Sequence, residues 1–393
     1  MNAREDLRSL VLSSGMQVLQ ALLEADREVV CGPRYRPQAD RAASRYGFDE
    51  GTLVLGGQKV RVRKPRVRGA EGEIELPSWE RFSAEDPLSA RVLEQMILGV
   101  STRGYRRSLE APPEGARSIA TSRSSVSRRF VARTTAQVES FLGQSLVERE
   151  IVVVMVDGTH VGDHVLVVAI GIDAEGGKHV LGVREGSTEN AAVCFSLLSE
   201  LVERGLDASR KRLFVIDGGK GARKAIREVF GNLALVQRCQ VHKERNVLDH
   251  LPEREKPRVR AELRRAWGSD SQELAIRRLN ALARQLEHGH PGAAASIREG
   301  LEETTTLIGL RVTGALHRTL RSTNPIENMN GSFKRIARRV KRWQGGKMAE
   351  RWLVTALIEA GKTFRRVRGH KEMPALVAAL RADAMTETLE CVA

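Results

Sequence analysis

The sequence predicts an α/β protein in which a mixed five-stranded sheet carries an all-helical insertion and follows a mostly helical N-terminal region. Five strand-like segments fall between positions 151 and 237, and two of them, 151–156 and 213–216, are continuous apolar runs. Such runs are typical of strands that are buried on both faces. Helical spacing of apolar residues prevails from about position 252 to 320, which predicts the insertion.

The N-terminal region, residues 1–110, combines helices with a hairpin. Apolar residues at helical spacing between Leu7 and Leu23 predict a first helix that ends at the stretch CGPRYRP. Alternation in residues 52–55 and 59–63, with two glycines between them, predicts a small hairpin. A second helix is predicted from the apolar stripe of Leu88, Val92, Met96 and Val100.

Residues 111–146 predict a helix-turn-helix-like segment. Ser122 or Ser124 caps a helix whose inward side chains are Val126, Phe130 and Val131. The outward face is rich in arginine and carries Arg123, Arg128, Arg129 and Arg133. A final basic helix of this kind enters the major groove in helix-turn-helix proteins, which makes Arg123, Arg128 and Arg129 candidate DNA-binding residues. The alternative is an amphipathic helix that only happens to be basic.

The net charge of +15, from 64 Lys and Arg against 49 Asp and Glu, indicates a polyanionic partner such as nucleic acid. Solubility alone is the alternative, and the distribution of the charge bears on the choice. Residues 321–347 hold eight basic residues and one acidic residue, residues 59–69 hold six basic and none acidic, and residues 117–133 hold five and none. Three such clusters predict a nucleic-acid track along the chain.

The composition also excludes several classes of protein. Four scattered cysteines do not form a disulfide framework, and the first ten residues lack the apolar stretch of a signal peptide. The longest apolar runs fall far short of the ~20 residues that a membrane span needs. We therefore expect a cytoplasmic protein without a membrane partner.

The character of the chain changes at residues 147–251. Strands are predicted at 151–156, 165–172, 179–183, 213–216 and 233–237, and helices at 190–204 and 220–230. Three strands, a helix, a strand, a helix and a strand follow the ribonuclease H-like order. The insertion, residues 252–320, separates this first part of the domain from a second part, residues 321–365. Residues 366–393 form a C-terminal tail.

Two acids follow the first and fourth predicted strands, each as an Asp-Gly pair. If these strands are parallel neighbours, Asp157 and Asp217 lie side by side at the edge of the sheet where α/β proteins bind ligands. Two adjacent carboxylates raise each other's pKa unless a cation lies between them, so the pair suits Mg²⁺ or Mn²⁺. Strand-terminal Asp-Gly is also an ordinary turn, which is the alternative for either residue alone.

A third acid, Glu327, completes the set that two-metal phosphoryl transfer requires. Thr323 or Asn324 caps its helix, with Pro325 in the first turn and Asn324 in a supporting role. Glu327 leads a polar ridge at helical spacing, formed by Asn330, Lys334, Arg338 and Lys341. An acid ahead of such a ridge places metal chemistry and phosphate contacts on one surface, as cutting DNA requires. The alternatives are a complement to the helix dipole and a solvated face.

Five blocks of the sequence carry a resemblance to a known family. The blocks are VMVDGTH, VVAIGIDAEGGKHVLGVREGSTEN, FVIDGGKGARKAI, QRCQVHKERNVL and RSTNPIENMNGSFKRIARR. In this order, from about residue 152 to 339, the chain resembles the mutator-type transposases of bacterial insertion sequences. GVSTRGY and SSVSRRF extend the resemblance more loosely towards the N-terminus. One departure is Ser322, where the family more often has Thr, and it retains the hydroxyl.

The resemblance implies a DNA transposase of the DDE type, in which Asp157, Asp217 and Glu327 hold two Mg²⁺ or Mn²⁺ ions. It implies as partners the terminal inverted repeats of an insertion sequence and its target DNA, in a bacterial cytoplasm. We also expect a homodimer. Two other functions remain open at this point: a nuclease or resolvase of the ribonuclease H-like fold, and a catalytically inactive DNA-binding remnant.

Cys239 and His242 form half of a zinc site, but no second Cys or close His pair follows at the usual spacing. The resemblance offers a supporting role instead, since related transposases have a Cys-x2-His pair at this place, which we expect to brace the active site or approach DNA. The glycine-rich stretch at residues 218–222 lacks the spacing of a phosphate-binding loop, so it predicts a helix start and no nucleotide cofactor.

Overall fold

The computed structural model describes residues 3–36, 43–55, 58–84, 87–109, 118–119, 122–186, 190–338 and 340–390. The chain divides into two compact units, Met1–Ala136 and Gln137–Ala393. The domain boundaries predicted from the sequence divide the chain more finely and stay predictions.

The first unit combines helices with a small antiparallel sheet. Its elements are α1 (Ala3–Cys31), β1 (Ala43–Leu55), β2 (Gln58–Gly69), β3 (Gly72–Ile74), α2 (Pro77–Ala84), α3 (Pro87–Ile97), a 3-10 turn (Tyr105–Ser108), β4 (Ser118–Ile119) and α4 (Arg123–Leu142), which continues into the second unit. The strand β2 pairs with β1, β3 and β4. The helices α1 and α2 cover one face of the sheet. The residues buried there include Leu23, Val60, Val67 and Leu76.

The predicted hairpin is present and longer than expected, because β1 has 13 residues and β2 has 12. Its predicted turn at Gly56 and Gly57 lies outside the described residues. A register shift between Arg45 and Phe48 interrupts the alternation in β1. This irregularity hides the first half of the strand from a period-2 pattern.

The predicted helix-turn-helix segment contains one described helix, α4. Ser122 caps it, because the Ser122 hydroxyl accepts a hydrogen bond from the backbone N–H of Ser125 at 3.3 Å. Val126 and Phe130 are buried as expected, whereas Val131 is exposed. Residues 110–117, 120 and 121 lie outside the described part, so the helix-turn-helix itself stays a prediction.

The second unit contains the predicted five-stranded mixed sheet. Its strands are β5 (Ile151–Val161), β6 (His164–Asp173), β7 (Lys178–Gly186), β8 (Arg212–Ile216) and β9 (Ala234–Arg238), arranged in the order β7-β6-β5-β8-β9. The first three strands are antiparallel, and β5, β8 and β9 are parallel. All five residues of β8 are buried, as expected for a central strand that helices cover.

Two helices pack on one face of this sheet, α5 (Ala191–Glu203) and α6 (Lys220–Phe230), the latter followed by a 3-10 turn (Gly231–Leu233). Leu197, Leu201, Phe214 and Ile226 are fully buried in the core between them. Two later helices, α13 (Asn324–Ala337) and α14 (Gly346–Gly361), contact strands β5, β6 and β7. The sheet is thereby covered by helices that are distant in sequence.

The predicted helical insertion lies between β9 and α13. The short helix α7 (Gln240–Leu248) precedes it, and the insertion itself consists of α8 (Lys256–Trp267), α9 (Gln272–Leu286), α10 (Pro291–Arg298), a 3-10 turn (Glu302–Thr304), α11 (Thr306–Gly309) and α12 (Gly314–Leu320). Leucines, alanines and Trp267 form its own hydrophobic core. After α14, a 3-10 turn (His370–Glu372) leads into α15 (Met373–Glu390).

Buried amides anchor the insertion to the edge strand β9. The carbonyl of Thr304 accepts hydrogen bonds from the side-chain amides of Gln237 at 3.1 Å and Gln240 at 2.9 Å. The Gln237 side-chain oxygen in turn accepts from the backbone N–H of Leu307 at 3.0 Å. Because buried polar groups are costly to leave unpaired, these bonds fix the insertion against the sheet. Within the described ranges, no helix combines the length and apolarity that crossing a bilayer demands.

Candidate active site

Asp157 and Asp217 lie next to each other on two adjacent parallel strands. The last paired residues of β5 and β8 are Val156 and Ile216, and each aspartate is the next residue of its strand or of the loop that follows. One expectation was wrong: β5 does not end at Asp157 but continues in an antiparallel hairpin with β6 to Val161. Pairing with β6 therefore fixes the backbone of Asp157.

The pKa of Asp157 shows that the three acids are electrostatically coupled. Burial raises this pKa from 3.8 to about 6, and the neighbouring charges of Asp217 and Glu327 raise it as well. The side-chain amide of Asn330 opposes the rise by donating a hydrogen bond to Asp157 Oδ2 at 2.8 Å. Asp157 is thus held in place by α13, the helix that also carries Glu327.

Asp217 begins a tight loop between β8 and α6. Its Oδ1 accepts a hydrogen bond from the backbone N–H of Gly219 at 2.8 Å. Gly218 has a φ of 114°, and a Cβ there would lie 2.7 Å from Nη2 of Arg238. Buried Arg238 occupies this space and donates to the Gly218 carbonyl. Glycine is therefore required where the arginine approaches the loop of the second acid.

Glu327 lies in the first turn of α13 and belongs to a small polar network. The Thr323 hydroxyl donates to Glu327 Oε1 at 2.6 Å, so Thr323 orients the carboxylate instead of capping the helix with its side chain. His242 Nδ1 lies 3.4 Å from the same hydroxyl and 3.9 Å from Glu327 Oε1. The imidazole therefore approaches the third acid from α7, the helix that follows β9.

Cys239 and His242 lie at the start of α7, beside Thr323 and Glu327. Cys239 is fully buried and caps α7, with its sulfur accepting from the backbone N–H of His242 at 3.5 Å. Burial opposes ionisation of the thiol, but hydrogen bonds with His242 and Thr323 outweigh it and lower the pKa of Cys239. The hydrogen bond with Cys239, together with the charges of Glu327 and Asp217, raises the pKa of His242.

The three acids suit divalent metal ions by their carboxylate oxygens and their negative charge, although their side chains do not surround a common point. In the described part of the chain, no three His, Cys, Asp or Glu side chains are gathered closely enough to hold a metal ion. Carboxylate oxygens are the ligands that Mg²⁺ and Mn²⁺ prefer. The raised pKa of Asp157 reflects negative charge that a divalent cation would neutralise.

The polar ridge behind Glu327 is shorter than predicted. Lys334 and Arg338 are exposed as expected. Asn330 is only 4% exposed and lies against Asp157, so it is not on the exposed ridge. The helix ends at Ala337, with Arg338 as its cap, and Lys341 lies beyond the helix. Asn324, the first helical residue, is exposed.

The predicted arginines of α4 differ in exposure. Arg123 and Arg128 are exposed, which leaves their guanidinium groups accessible to a ligand. Arg129 is half-buried, and its Nη1 donates to the Ser89 hydroxyl of α3 at 3.2 Å. Part of the Arg129 side chain is thus engaged within the first unit.

The sequence reasoning missed the roles of Thr323, Arg238 and Asn330 as positioning residues. For Asn330 the spacing of three residues from Glu327 indicates neighbouring places on one helix surface, but it does not indicate the contact with Asp157. No comparable signal pointed to Arg238, because its contacts to residues 218 and 299 depend on the tertiary fold.

Comparison with known proteins adds independent findings. The family model described as "Transposase, Mutator family" matches residues 3–367. The chain is 26% identical over 374 residues to the transposase for insertion sequence element IS256 in transposon Tn4001 of Staphylococcus aureus. This match covers 91% of each protein. It is 30% identical over 333 residues to the transposase for element ISRM5 of Rhizobium meliloti, which covers 81% of this chain and 79% of that protein. Over 370 residues it is 26% identical to the transposase for element IS905 of Lactococcus lactis, with coverage of 90% and 89%.

Proposed function

Because this chain belongs to the Mutator family of transposases, we propose that it cuts DNA at the ends of an insertion sequence and joins the freed ends to target DNA with divalent metal ions. The observation that carries the proposal is the coupling of three carboxylates on two adjacent parallel strands and the helix α13. The strand order β7-β6-β5-β8-β9, with helices after β7 and β8, supports a ribonuclease H-like catalytic core.

Asp157, Asp217 and Glu327 are the residues that would hold two Mg²⁺ or Mn²⁺ ions. When bound, such ions activate the attacking oxygen and stabilise the leaving oxygen of a phosphodiester. The reaction is hydrolysis at the end of the element, which frees a 3′-hydroxyl, followed by attack of that hydroxyl on target DNA. In each step an oxygen attacks a phosphodiester phosphorus and a 3′-oxygen leaves; the attacking oxygen is that of water in the first step and that of the freed 3′-hydroxyl in the second, so one site serves both.

The remaining residues of the site position these acids and the DNA. Asn330 orients Asp157, Arg238 shapes the loop of Asp217, and Thr323 with His242 orients Glu327. Exposed Lys334 and Arg338 would bind the phosphates next to the scissile bond, because they extend from the helix of Glu327. The helix α13 would thereby supply both the third acid and the positive charges that hold the DNA beside it.

Recognition of the element falls to the first unit. We propose that Arg123 and Arg128, with the exposed part of Arg129, contact the terminal inverted repeats, and that two copies of the chain bring two ends together as a homodimer. The exposed arginines of α4 support the first part of this proposal. The need to join two DNA ends supports the second.

The test uses the full chain, Mg²⁺ and DNA fragments from both sides of the gene. Asp157→Asn, Asp217→Asn and Glu327→Gln should each abolish strand cleavage and retain DNA binding, since removing a carboxylate lowers repulsion of the phosphate. Asp270→Asn, an exposed acid of the insertion, is the matched control and should cut normally.

Cleavage at near wild-type rate by any of the three acid variants would remove that residue from the metal site. Cutting without a protected inverted repeat in a footprint would identify a plain nuclease. Binding without any cleavage in Mg²⁺ or Mn²⁺ would identify an inactive DNA-binding remnant.

A further inference from the structure

A basic cleft lies between α6 and the helical insertion, in the second unit. Its volume is about 920 Å³, and its lining includes Lys220, Arg223, Lys224, Arg227, Arg238 and Glu299. The cations come from α6 and the end of β9, and the opposite wall is formed by α7, α10 and the residues that follow them. The mechanism proposed above makes no use of this cleft.

Three exposed cations form one ridge on α6. Lys220, Lys224 and Arg227 follow one another at spacings of four and three residues, which places them on the same face of the helix. At 1.5 Å of rise per residue, the ridge is about 10 Å long. That length equals about three nucleotides of one strand along a DNA duplex, where the axial rise is about 3.4 Å.

Much of the positive charge on this ridge is not neutralised by the protein. Arg223 and Arg227 form ion pairs with Glu303, the second at 3.8 Å. Lys220 and Lys224 have no ion pair within 4 Å to any residue that the structure describes, and both are exposed. The lining also holds the acids Asp249 and Glu299, so the cations are in excess but are not alone. A concave surface with excess positive charge concentrates anions, because the low-dielectric walls focus the field.

The cleft is physically joined to the loop of the second acid. Lys220, at the start of α6, follows Asp217 by three residues. Arg238 donates to the Gly218 carbonyl in that loop and to the Glu299 carbonyl at the end of α10, the latter at 2.8 Å. One buried guanidinium therefore fixes the distance between the active-site loop and the far wall of the cleft.

The lining favours a phosphate backbone over a nucleotide. Among the described residues that line the cleft there is no Phe, Tyr or Trp, and His250 is the one aromatic ring, so the lining offers a base little to stack on. The cations are spread along a helix and are not concentrated at one point. A ligand with regularly spaced phosphates matches this distribution, and a single triphosphate does not.

We propose that this cleft binds the sugar–phosphate backbone of the DNA strand that continues past Asp217, with Lys220, Lys224 and Arg227 contacting successive phosphates. The inference rests on the proposed function, because it assigns the DNA to the strand that the acids cut. It also gives the insertion a role as one wall of a DNA channel. The stretch GGKGA thus serves the backbone of a nucleic acid, and not a nucleotide cofactor.

The test is the salt dependence of DNA binding by the full chain, measured in EDTA so that no strand is cut. The double variant Lys224→Gln/Arg227→Gln removes two contacts. The logarithm of the binding constant should then fall less steeply with the logarithm of salt, by about 0.9 per contact on duplex DNA. At 0.1 M salt this corresponds to a loss of affinity of about 60-fold at most.

Arg277→Gln is the matched control, since Arg277 is an exposed arginine of α9 that does not line the cleft. It should leave both the slope and the affinity at the wild-type values. Thermal melting should show that all variants are folded, because the Arg227–Glu303 pair is long and Arg227 is 64% exposed.

A slope and affinity equal to wild type in the double variant would overturn the proposal. So would loss of binding to tripolyphosphate or ATP with DNA binding unchanged, because that result identifies a nucleotide pocket. If the wild-type chain never cuts DNA but the double variant still has a shallower salt slope, the proposed function is wrong and DNA binding by the cleft is supported. If the wild-type chain cuts DNA and the double variant has the wild-type salt slope, the proposed function is supported and DNA binding by the cleft is wrong.

Discussion

Replacing Asp157 by Asn should stabilise the protein when no metal is present. The half-buried carboxylate has its pKa raised from 3.8 to about 6 by burial and by two neighbouring acids. Each pKa unit corresponds to about 1.4 kcal/mol, so ionised Asp157 costs the fold roughly 3 kcal/mol before solvent screening. We expect a gain of about 1–3 kcal/mol in the free energy of unfolding. Each kcal/mol should raise the melting temperature by about 2–4 °C.

The gain should depend on pH in a defined direction. The folded state binds the Asp157 proton more tightly than the unfolded state, so the favourable contribution of the protonated group is complete below pH 3.8 and is lost as pH rises through about 6. Asn carries no charge at any of these pH values and retains an oxygen that accepts from Asn330. The variant and the wild type should therefore be equally stable near pH 4 and differ fully above about pH 7.

The assay is urea or thermal unfolding of both proteins in EDTA from pH 4 to pH 8. Asp270→Asn, a variant at an exposed position of the insertion, is the control. Saturating Mg²⁺ should stabilise the wild type more than the variant, because a ligand of the folded state adds stability only where it binds. A gain that is absent at pH 8, or equal at pH 4 and pH 8, would refute the reasoning.

Three further predictions concern binding and positioning. Asn330→Ala should lower cleavage by about 10–100-fold and raise the Mg²⁺ concentration needed for half-maximal rate, because it removes the donor that orients Asp157; an unchanged metal titration would contradict this. Lys334→Ala and Arg338→Ala should weaken cleavage of pre-bound DNA more as salt rises, and Lys334→Glu should be worse than Lys334→Ala; curves that overlay wild type would leave this helix without a DNA role. Arg123→Ala and Arg128→Ala should each reduce the salt slope of binding to the element's ends by about 1, and a deletion variant without residues 111–146 that still binds the ends would remove the helix-turn-helix assignment.

The centre of the sheet was predictable because residues 151–156 and 213–216 are continuous apolar runs. The end of β5 was not, since Asp157 and Gly158 read as a turn, and the hairpin with β6 is what keeps the chain extended to Val161. The strands of the hairpin in the first unit are longer than predicted for a related reason. Its β2 strand contains Pro65, which pairs with Phe48 although proline normally argues against a strand.

The acids were predictable, and their surroundings were not. Asn330 is polar and lies on an amphipathic helix, so its sequence neighbours suggest exposure. Its burial depends on Asp157, which is 173 residues away along the chain. The cleft along α6 is hidden for the same reason, because its two walls belong to segments that are brought together only by tertiary contacts.

The placement of Glu327 beyond the insertion has a consequence for synthesis of the protein. The backbone N–H of Gln240 donates to the Arg321 carbonyl at 2.8 Å, so the two segments meet only after the insertion has been made. From position 217 to position 327 the ribosome adds 110 residues. At 5–20 residues per second, the third acid emerges roughly 5–20 s after the second. A nascent chain that has been made only as far as the insertion therefore holds two of the three acids and lacks the third.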